Sequence, residues 1–136
     1  HWFNEALKVK PDNVEALYYT GISLDRLGKY QDAIHWYDKV LNINSDDVGA
    51  LYNKALALDN LGKHQEAIKL YDEALELEPN DITILTNKGV ALGNLGKYQE
   101  AIHWFDKALK LEPNNTNTLT NKGVALSKMN STNTIN

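Results

Sequence analysis

The sequence has no cysteine, only three prolines and no long hydrophobic run. Without thiols the chain has no disulfide framework and suits a reducing compartment, so we expect a cytoplasmic location. No apolar stretch approaches the ~20 residues that span a bilayer, and no membrane partner is expected. The net charge is only -4, and the 14 Lys and Arg residues are interspersed with Asp and Glu. A nucleic-acid partner is therefore not expected either.

Clustered catalytic groups are also missing. The four histidines never occur three or four residues apart, so no helix face would present two metal ligands. No glycine-rich loop follows a predicted strand, and the acidic residues fall on predicted solvent-facing helix surfaces. The sequence thus predicts no enzyme, no metal site, no cofactor and no small-molecule substrate.

The sequence does contain a repeat of 34 residues. Residues 14–47, 48–81 and 82–115 align without gaps, and the last two of these are identical at 20 of 34 positions. A unit this short closes no core alone, so neighbouring units must bury each other's apolar faces in an open stack. Such extended surfaces favour binding over chemistry. Because His1-Trp2-Phe3 repeats His103-Trp104-Phe105, the chain is expected to begin within a repeat of a longer array.

Each repeat predicts two helices, A and B, when its residues are numbered 1–34 from residue 14, 48 or 82. Apolar residues at positions 4, 8 and 11 give helix A one apolar face, and the small residue at position 8 allows close helix packing. A Leu-Gly-Lys turn supplies glycine for a left-handed cap. Helix B then ends before Pro79 and Pro113, whereas Ser45 in the first repeat predicts a less sharp end.

This pattern predicts an all-α chain of about eight helices. The predicted divisions are the second helix of a truncated repeat (1–13), three complete repeats (14–47, 48–81 and 82–115), a capping first helix of a fourth repeat (116–130) and a polar tail (131–136).

The recurring Leu-x-Asn-Lys, Leu-Gly-Lys, Ala-Ile, Ala-Leu and Glu-Pro-Asn resemble the tetratricopeptide repeat (TPR), a helix-turn-helix of 34 residues. The resemblance covers nearly the whole chain. It implies a right-handed superhelical stack of antiparallel helix pairs, a TPR solenoid, in which the A helices line a concave groove. It also implies a protein–protein interaction function, often exercised by holding an extended peptide or a helix in that groove.

Asparagines recur on the predicted groove side of helix A, at positions 6 and 13. They are Asn53, Asn87, Asn121, Asn60 and Asn94. An amide can pair with both the N–H and the C=O of a peptide backbone, so we predict a ladder that holds an extended chain. The resemblance supports this, since some family members use such a ladder. The alternative is that these asparagines recur only because the repeats are nearly identical, and that they have no role in binding.

Aromatic and charged candidates surround these amides. Tyr18, Tyr19 and Tyr52 lie at positions 5 and 6 and predict a binding hot spot, because tyrosine buries much area at little entropic cost; packing against the adjacent helix is the alternative. The charged groove candidates are Asp25, Arg26 and Asp59. Because acidic side chains outnumber basic ones among them, they favour a basic or neutral peptide over an acidic one.

One subset of the family clamps a C-terminal carboxylate with Lys at position 5 and Asn at position 9. In this chain position 5 is never basic, and position 9 is aliphatic: Ile22, Leu56, Val90 and Val124. Such a clamp is therefore disfavoured.

Two functional classes remain. The leading hypothesis is a protein-interaction module that binds a peptide or helix in the groove. The alternative is a scaffold that self-associates through exposed terminal helices, with Trp2, Phe3 and Leu7 as contact residues. Regulation of an enzyme elsewhere in a longer parent protein is a third possibility.

Overall fold

The structure is a computed structural model that describes residues 13–135. Its helices are α1 (Val14–Arg26), α2 (Tyr30–Ile43), α3 (Val48–Asn60), α4 (His64–Leu77), α5 (Ile82–Asn94), α6 (Tyr98–Leu111) and α7 (Thr116–Ile135). No strand occurs among the described residues, so the all-α prediction is confirmed with seven helices instead of about eight. The predicted helix over residues 1–13 lies outside the described part, apart from its last residue.

Each helix A begins where the repeat begins, because an Asn or Asp side chain caps it. The side chains of Asn13, Asp47 and Asp81 accept hydrogen bonds of 3.1, 3.0 and 3.1 Å from the backbone N–H three residues later. Asn115 does the same for α7, with a bond of 2.9 Å from Thr118 N. These bonds satisfy backbone donors that have no partner within the helix.

A glycine ends helix A in each complete repeat. Gly28, Gly62 and Gly96 have φ angles of 78°, 80° and 80°, a region that side-chain-bearing residues rarely adopt. In the first turn Gly28 N donates to Asp25 O and Lys29 N donates to Leu24 O, both at 2.9 Å. This is the Schellman arrangement, and it confirms the predicted left-handed cap.

Helix B ends at the same repeat position in all three repeats, at Ile43, Leu77 and Leu111. The less sharp end predicted for the first repeat is therefore not observed. Asn44 takes an extended conformation, and its Oδ1 accepts a hydrogen bond of 3.1 Å from Asp46 N. This local turn ends the helix without a proline, because the N–H of Asp46 donates to the Asn44 side chain and not to a helical backbone carbonyl.

The last helix is longer than the sequence pattern predicts. Helix α7 continues to Ile135, past the predicted end at residue 130 and into the predicted polar tail. No glycine or proline follows Gly123, so no residue there forces the backbone out of helical geometry.

The chain divides into two compact units, His1–Leu70 and Tyr71–Asn136, with the division inside α4. In the first unit α2 packs against both α1 and α3, and its core includes Leu17, Val40 and Ala50. In the second unit α6 packs against both α5 and α7. In each unit one helix B thus packs against helix A of its own repeat and against helix A of the next repeat.

The closest packing joins position 8 of helix A to the aromatic ring at position 24 of helix B. A Cβ added to Gly21 would lie 2.5 Å from Cε1 of Tyr37, and one added to Gly89 would lie still closer to Phe105. Both rings are buried. Glycine therefore lets the ring rest directly on the backbone of helix A, and any larger residue must displace it.

Lysines at position 7 link each later helix A to the preceding helix B. The pairs are Lys54–Asp38 at 2.6 Å, Lys122–Asp106 at 2.7 Å, and Lys88–Asp72. The Lys88 ammonium also lies 3.6 Å from the ring centroid of Trp104. Because the carboxylates are half exposed, each pair stabilises the fold by at most about 1 kcal/mol.

The packing at position 8 gives a test with an internal control. Gly89→Ala should lower the free energy of unfolding by about 1–3 kcal/mol, because the new methyl group overpacks the Phe105 ring. Gly123→Ala occupies the same repeat position in α7 but meets nothing within 4 Å. It should leave stability unchanged or raise it by up to about 1 kcal/mol, since alanine favours helix over glycine.

Urea unfolding followed by circular dichroism measures both variants. Equal stability of Gly89→Ala and Gly123→Ala would contradict the steric role assigned to the glycine.

Candidate functional site

In the first unit a hydrogen bond joins the groove sides of α1 and α3. Nδ2 of Asn53 donates to the hydroxyl of Tyr18 at 2.7 Å and to the carbonyl of Gly49 at 2.8 Å. A Cβ on Gly49 would lie 3.2 Å from the Tyr18 hydroxyl, so glycine leaves room for the phenol. The structure thus brings together two predicted site residues, Tyr18 and Asn53, from consecutive repeats.

This pair can offer one donor and one acceptor to a ligand. Burial raises the pKa of Tyr18, and the nearby charge of Asp47 raises this pKa further. The hydroxyl therefore stays protonated at neutral pH and can donate a hydrogen bond to a ligand. Both amide hydrogens of Asn53 are directed within the chain, which leaves its carbonyl oxygen as the acceptor.

Tyr19 adds an exposed aromatic surface beside the pair. Its side chain is 46% exposed, and its ring meets the Tyr18 ring edge-on at 5.4 Å. A depression of about 580 Å³ opens next to the two rings among the described residues, with Glu15 and Asp47 in its lining. The aromatic surface and the acidic lining suit a neutral or basic ligand better than an acidic one.

Asp25 faces the protein interior instead of the groove. Its Oδ2 accepts a hydrogen bond from the buried hydroxyl of Tyr37, and its buried Oδ1 has no hydrogen-bond partner among the described residues. Burial raises the pKa of Asp25, although the Tyr37 hydrogen bond opposes this shift. Burial and then Asp25 itself raise the pKa of Tyr37 well above its ordinary value. The pair therefore contributes to packing, and the binding role predicted for Asp25 remains untested.

The other charged and aromatic candidates of this unit are dispersed. Asp59 pairs with Nδ1 of His64 at 2.9 Å, across the turn between α3 and α4. Arg26 and Asn60 are exposed at the ends of α1 and α3, and Tyr52 is half-buried. The binding roles of these four residues stay predictions.

In the second unit the asparagine at position 6 is again held by its own helix. Nδ2 of Asn121 donates to the carbonyl of Asn117 at 2.9 Å and to its Oδ1 at 3.2 Å. Asn87 is half-buried on α5, and Asn94 is exposed at the end of that helix. The amide of Asn121 thus donates to Asn117, four positions earlier, whereas the amide of Asn53 donates both to Gly49, four positions earlier, and to Tyr18 of α1. The complete ladder stays a prediction.

Helices α5 and α7 are joined by a different contact from α1 and α3. The hydroxyl groups of Thr86 and Thr118 are hydrogen-bonded at 2.7 Å, and both side chains are buried. Short hydroxyls thus join these two helices, whereas the Tyr18–Asn53 pair joins α1 and α3.

A cleft of about 80 Å³ between α5 and α7 was not predicted from the sequence. Its lining consists of Gly89, Val90, Gly93, Asn94, Tyr98, Phe105, Asn121, Val124, Ala125 and Lys128. It exists because the third repeat has Gly93 and Phe105 where the first has Asp25 and Tyr37. The simultaneous change at positions 12 and 24 is the sequence signal for this cleft.

Other site types find no support in the part of the chain that the structure describes. Over residues 13–135 no group of three or more His, Asp or Glu side chains is arranged to hold a metal ion. No described helix is long and apolar enough to cross a membrane. The predicted self-association residues Trp2, Phe3 and Leu7 lie outside the described residues.

The helix pairs, the capped turns and the 34-residue period agree with comparison to known families. A profile described as "Psidin, N-terminal TPR repeats region" matches residues 3–134. The chain belongs to this tetratricopeptide-repeat family. No curated protein sequence matches the TPR chain.

Solved TPR structures share the fold. A MamA protein has a TM-score of 0.86 at 23% identity, with 94% of this chain and 70% of that chain covered. The first TPR of Spaghetti (RPAP3), bound to the HSP90 peptide SRMEEVD, has a TM-score of 0.80 at 25% identity, with 85% of this chain and 92% of that chain covered. The second TPR domain of human RPAP3, in complex with the HSP70 peptide SGPTIEEVD, has a TM-score of 0.76 at 28% identity, with 80% of this chain and 91% of that chain covered. The predicted TPR fold is confirmed.

The buried Asp25–Tyr37 pair is suited to a double-mutant cycle. Tyr37→Phe and Asp25→Ala should each lower the free energy of unfolding by about 1–3 kcal/mol, because each leaves a buried polar group without its partner. The double variant should cost less than the sum, since it removes both groups, as Phe105 and Gly93 do in the third repeat.

Urea unfolding of the four proteins gives the coupling energy. Strict additivity would show that the hydrogen bond does not matter to stability.

Proposed function

We propose that the chain is a protein-interaction module whose A-helix surfaces bind a segment of a partner protein. The observation that carries this is the Tyr18–Asn53 pair, which links two consecutive repeats and offers a hydroxyl donor beside an amide acceptor. These two groups match the C=O and N–H of one residue in an extended segment, which point to the same side of the chain. Membership of the TPR family supports the proposal, as do the two RPAP3 domains that bind peptides.

The partner segment should be extended and should carry little negative charge where it meets the first unit. Backbone recognition by Tyr18 and Asn53 requires an exposed peptide unit, which an extended chain provides and a helix does not. Tyr19 supplies a stacking surface, and Glu15 with Asp47 repels carboxylates. The partner is therefore expected to differ from the acidic HSP90 and HSP70 peptides, consistent with the absence of basic residues at position 5.

The test is affinity capture of the partner, followed by titration calorimetry with the recovered binding segment. Tyr18→Phe combined with Asn53→Ala should weaken binding by about tenfold, since two hydrogen bonds of about 0.5–1.5 kcal/mol each are lost. Asn42→Ala is the matched control, because Asn42 is exposed on α2 in the same unit and lies outside the pair. Circular dichroism verifies that each variant folds.

A triple Asn53, Asn87 and Asn121 alanine variant tests the ladder separately. Unchanged affinity of the triple variant would overturn the ladder. Unchanged affinity of the Tyr18 and Asn53 variant would overturn the backbone recognition proposed here.

Self-association is the second candidate, and an exposed face of α7 favours it. Leu119 and Leu126 are 47% and 37% exposed, whereas their equivalents Leu85 and Leu92 in α5 are 1% and 6% exposed beneath α6. Residues 1–8 repeat residues 103–110 of α6 at six of eight positions. The N-terminal segment of a second copy therefore has the side chains to cover α7 as α6 covers α5.

Sedimentation velocity over a concentration series tests this alternative. Leu119→Glu with Leu126→Glu should abolish any oligomer, because it places two charges on the apolar face. The control, Thr120→Glu with Ser127→Glu, has the same charge and spacing on exposed polar positions of α7 and should retain it. A wild-type monomer at all concentrations, or equal behaviour of the two variants, would rule self-association through this face out.

A further inference from the structure

The first unit has a second depression, which does not include the Tyr18–Asn53 pair. Its volume is about 310 Å³, and its lining comes from α2, α3, the following turn and α4. The apolar part of the lining consists of Ile34, Leu58 and Leu70. Ile34 and Leu58 are buried, and Leu70 is half-buried. The depression thus offers an aliphatic surface on a side of the unit to which no binding role has been assigned.

Leu70 occupies position 23 of helix B, where the other two complete repeats have Trp36 and Trp104. In the third repeat the ammonium group of Lys88 lies 3.6 Å from the ring centroid of Trp104. Lys88 also keeps its ion pair with Asp72. One lysine at position 7 therefore contacts a carboxylate and the face of an indole at the same time.

The second repeat has the lysine of this arrangement but not the indole. Lys54 stands at position 7 and forms the equivalent ion pair with Asp38 at 2.6 Å. Its side chain is 24% exposed, whereas that of Lys88 is only 10% exposed. Lys54 and Leu70 both line the depression. Because leucine is much shorter than tryptophan, the depression lies beside the lysine where the third repeat has its indole.

The size and charges of the depression suit an aromatic ring. A cavity of about 150 Å³ is known to admit benzene, so about 310 Å³ accommodates an indole. The face of the ring would attract the Lys54 ammonium through a cation–π interaction, which an aliphatic side chain cannot form. The exposed residues Lys63, Glu66 and Lys69 give the lining both signs of charge. The depression is therefore an apolar centre with a polar edge, as in many protein interfaces.

We propose that this depression is a second interaction site, and that it binds a tryptophan side chain of a partner protein in the place that Leu70 leaves open. The indole packs on the aliphatic lining, and its face lies against the Lys54 ammonium as Trp104 lies against Lys88. Lys54 keeps its ion pair in the complex, as Lys88 does. The site goes beyond the proposed function, because it shares no lining residue with the Tyr18–Asn53 pair.

A second copy of the chain is less suited to supply this tryptophan. Among the described residues, its tryptophans Trp36 and Trp104 are half-buried. Each already contacts a histidine and a lysine of its own helix. Neither ring can enter another molecule without loss of these contacts.

Short peptides test the site by two-dimensional NMR titration of the full chain. The probe is the blocked tripeptide Gly-Trp-Gly, compared with versions that have Leu or Ser in place of Trp. The Trp probe should bind at least tenfold more tightly than the Ser probe, and more tightly than the Leu probe. It should shift the amide signals of Leu58 and Leu70. It should also move the Hε signals of Lys54 upfield, because the face of an aromatic ring shields nearby protons.

Three variants make the test specific to the depression. Leu70→Trp supplies the indole within the chain and should abolish binding of the Trp probe. Glu76→Trp adds the same side chain at an exposed position of α4 outside the lining and should leave binding unchanged. Lys54→Met keeps an unbranched apolar stem without the ammonium group. It should weaken the Trp probe by about two- to fivefold and leave the Leu probe unchanged. Circular dichroism verifies that all three variants fold.

The proposal is overturned if the Trp and Ser probes bind equally, if the Lys54 Hε signals do not move, or if Leu70→Trp retains binding. Sedimentation velocity tests the other occupant. A wild-type oligomer that dissociates on Leu70→Trp would show that a second copy fills the depression, and would overturn the assignment to another protein. Tyr18→Phe with Asn53→Ala should leave binding of the Trp probe unchanged, so this proposal and the proposed function can fail separately.

Discussion

The contact of an aromatic ring with a small residue sets the geometry of the helix pairs. Tyr37 rests on Gly21 and Phe105 rests on Gly89, so close that no side chain fits between ring and backbone. This contact determines how near helix B lies to helix A, and the left-handed glycine of the intervening turn permits that return. The ion pairs of the position 7 lysines are secondary, because exposed pairs stabilise a fold only slightly.

Position 12 of helix A lies beside the ring at position 24. Because that ring is fixed in place, different residues can occupy position 12. An Asp there bonds to a Tyr hydroxyl and closes the space, as Asp25 does with Tyr37. A Gly there requires that the hydroxyl also be lost, since a buried hydroxyl without a partner is costly. Phe105 and Gly93 satisfy that requirement, and an open cleft lies at this point. A stable helix pair can thus be closed or open at this point without a change of fold.

The A-helix surfaces of the two units differ in chemistry although their helices share one pattern. Tyr18, Tyr19 and Asn53 give the first unit an aromatic and hydrogen-bonding surface with acidic neighbours. The second unit joins its A helices through two buried threonines, and no carboxylate occurs on those helices. The amide nitrogens of Asn53 and Asn121 already donate hydrogen bonds within the chain. We therefore expect these two amides to accept hydrogen bonds from a peptide and not to donate to it, whereas the sequence pattern predicts that they do both.

The sequence by itself determined the order of the helices, the turns between helices A and B and the pairing within each repeat, because these depend on local signals. The caps at Asn13, Asp47 and Asp81, the turn glycines and the apolar period act within a few residues of where they stand. The length of α7 was missed because polar Ser, Thr and Asn residues do not by themselves stop a helix. Only the tertiary structure decided that Asp25 points inward, that Asn53 bonds to Tyr18, and that a cleft opens at Gly93. These features depend on contacts between residues 12 to 35 positions apart, and the direction of a side chain is set by the partner that packing brings to it.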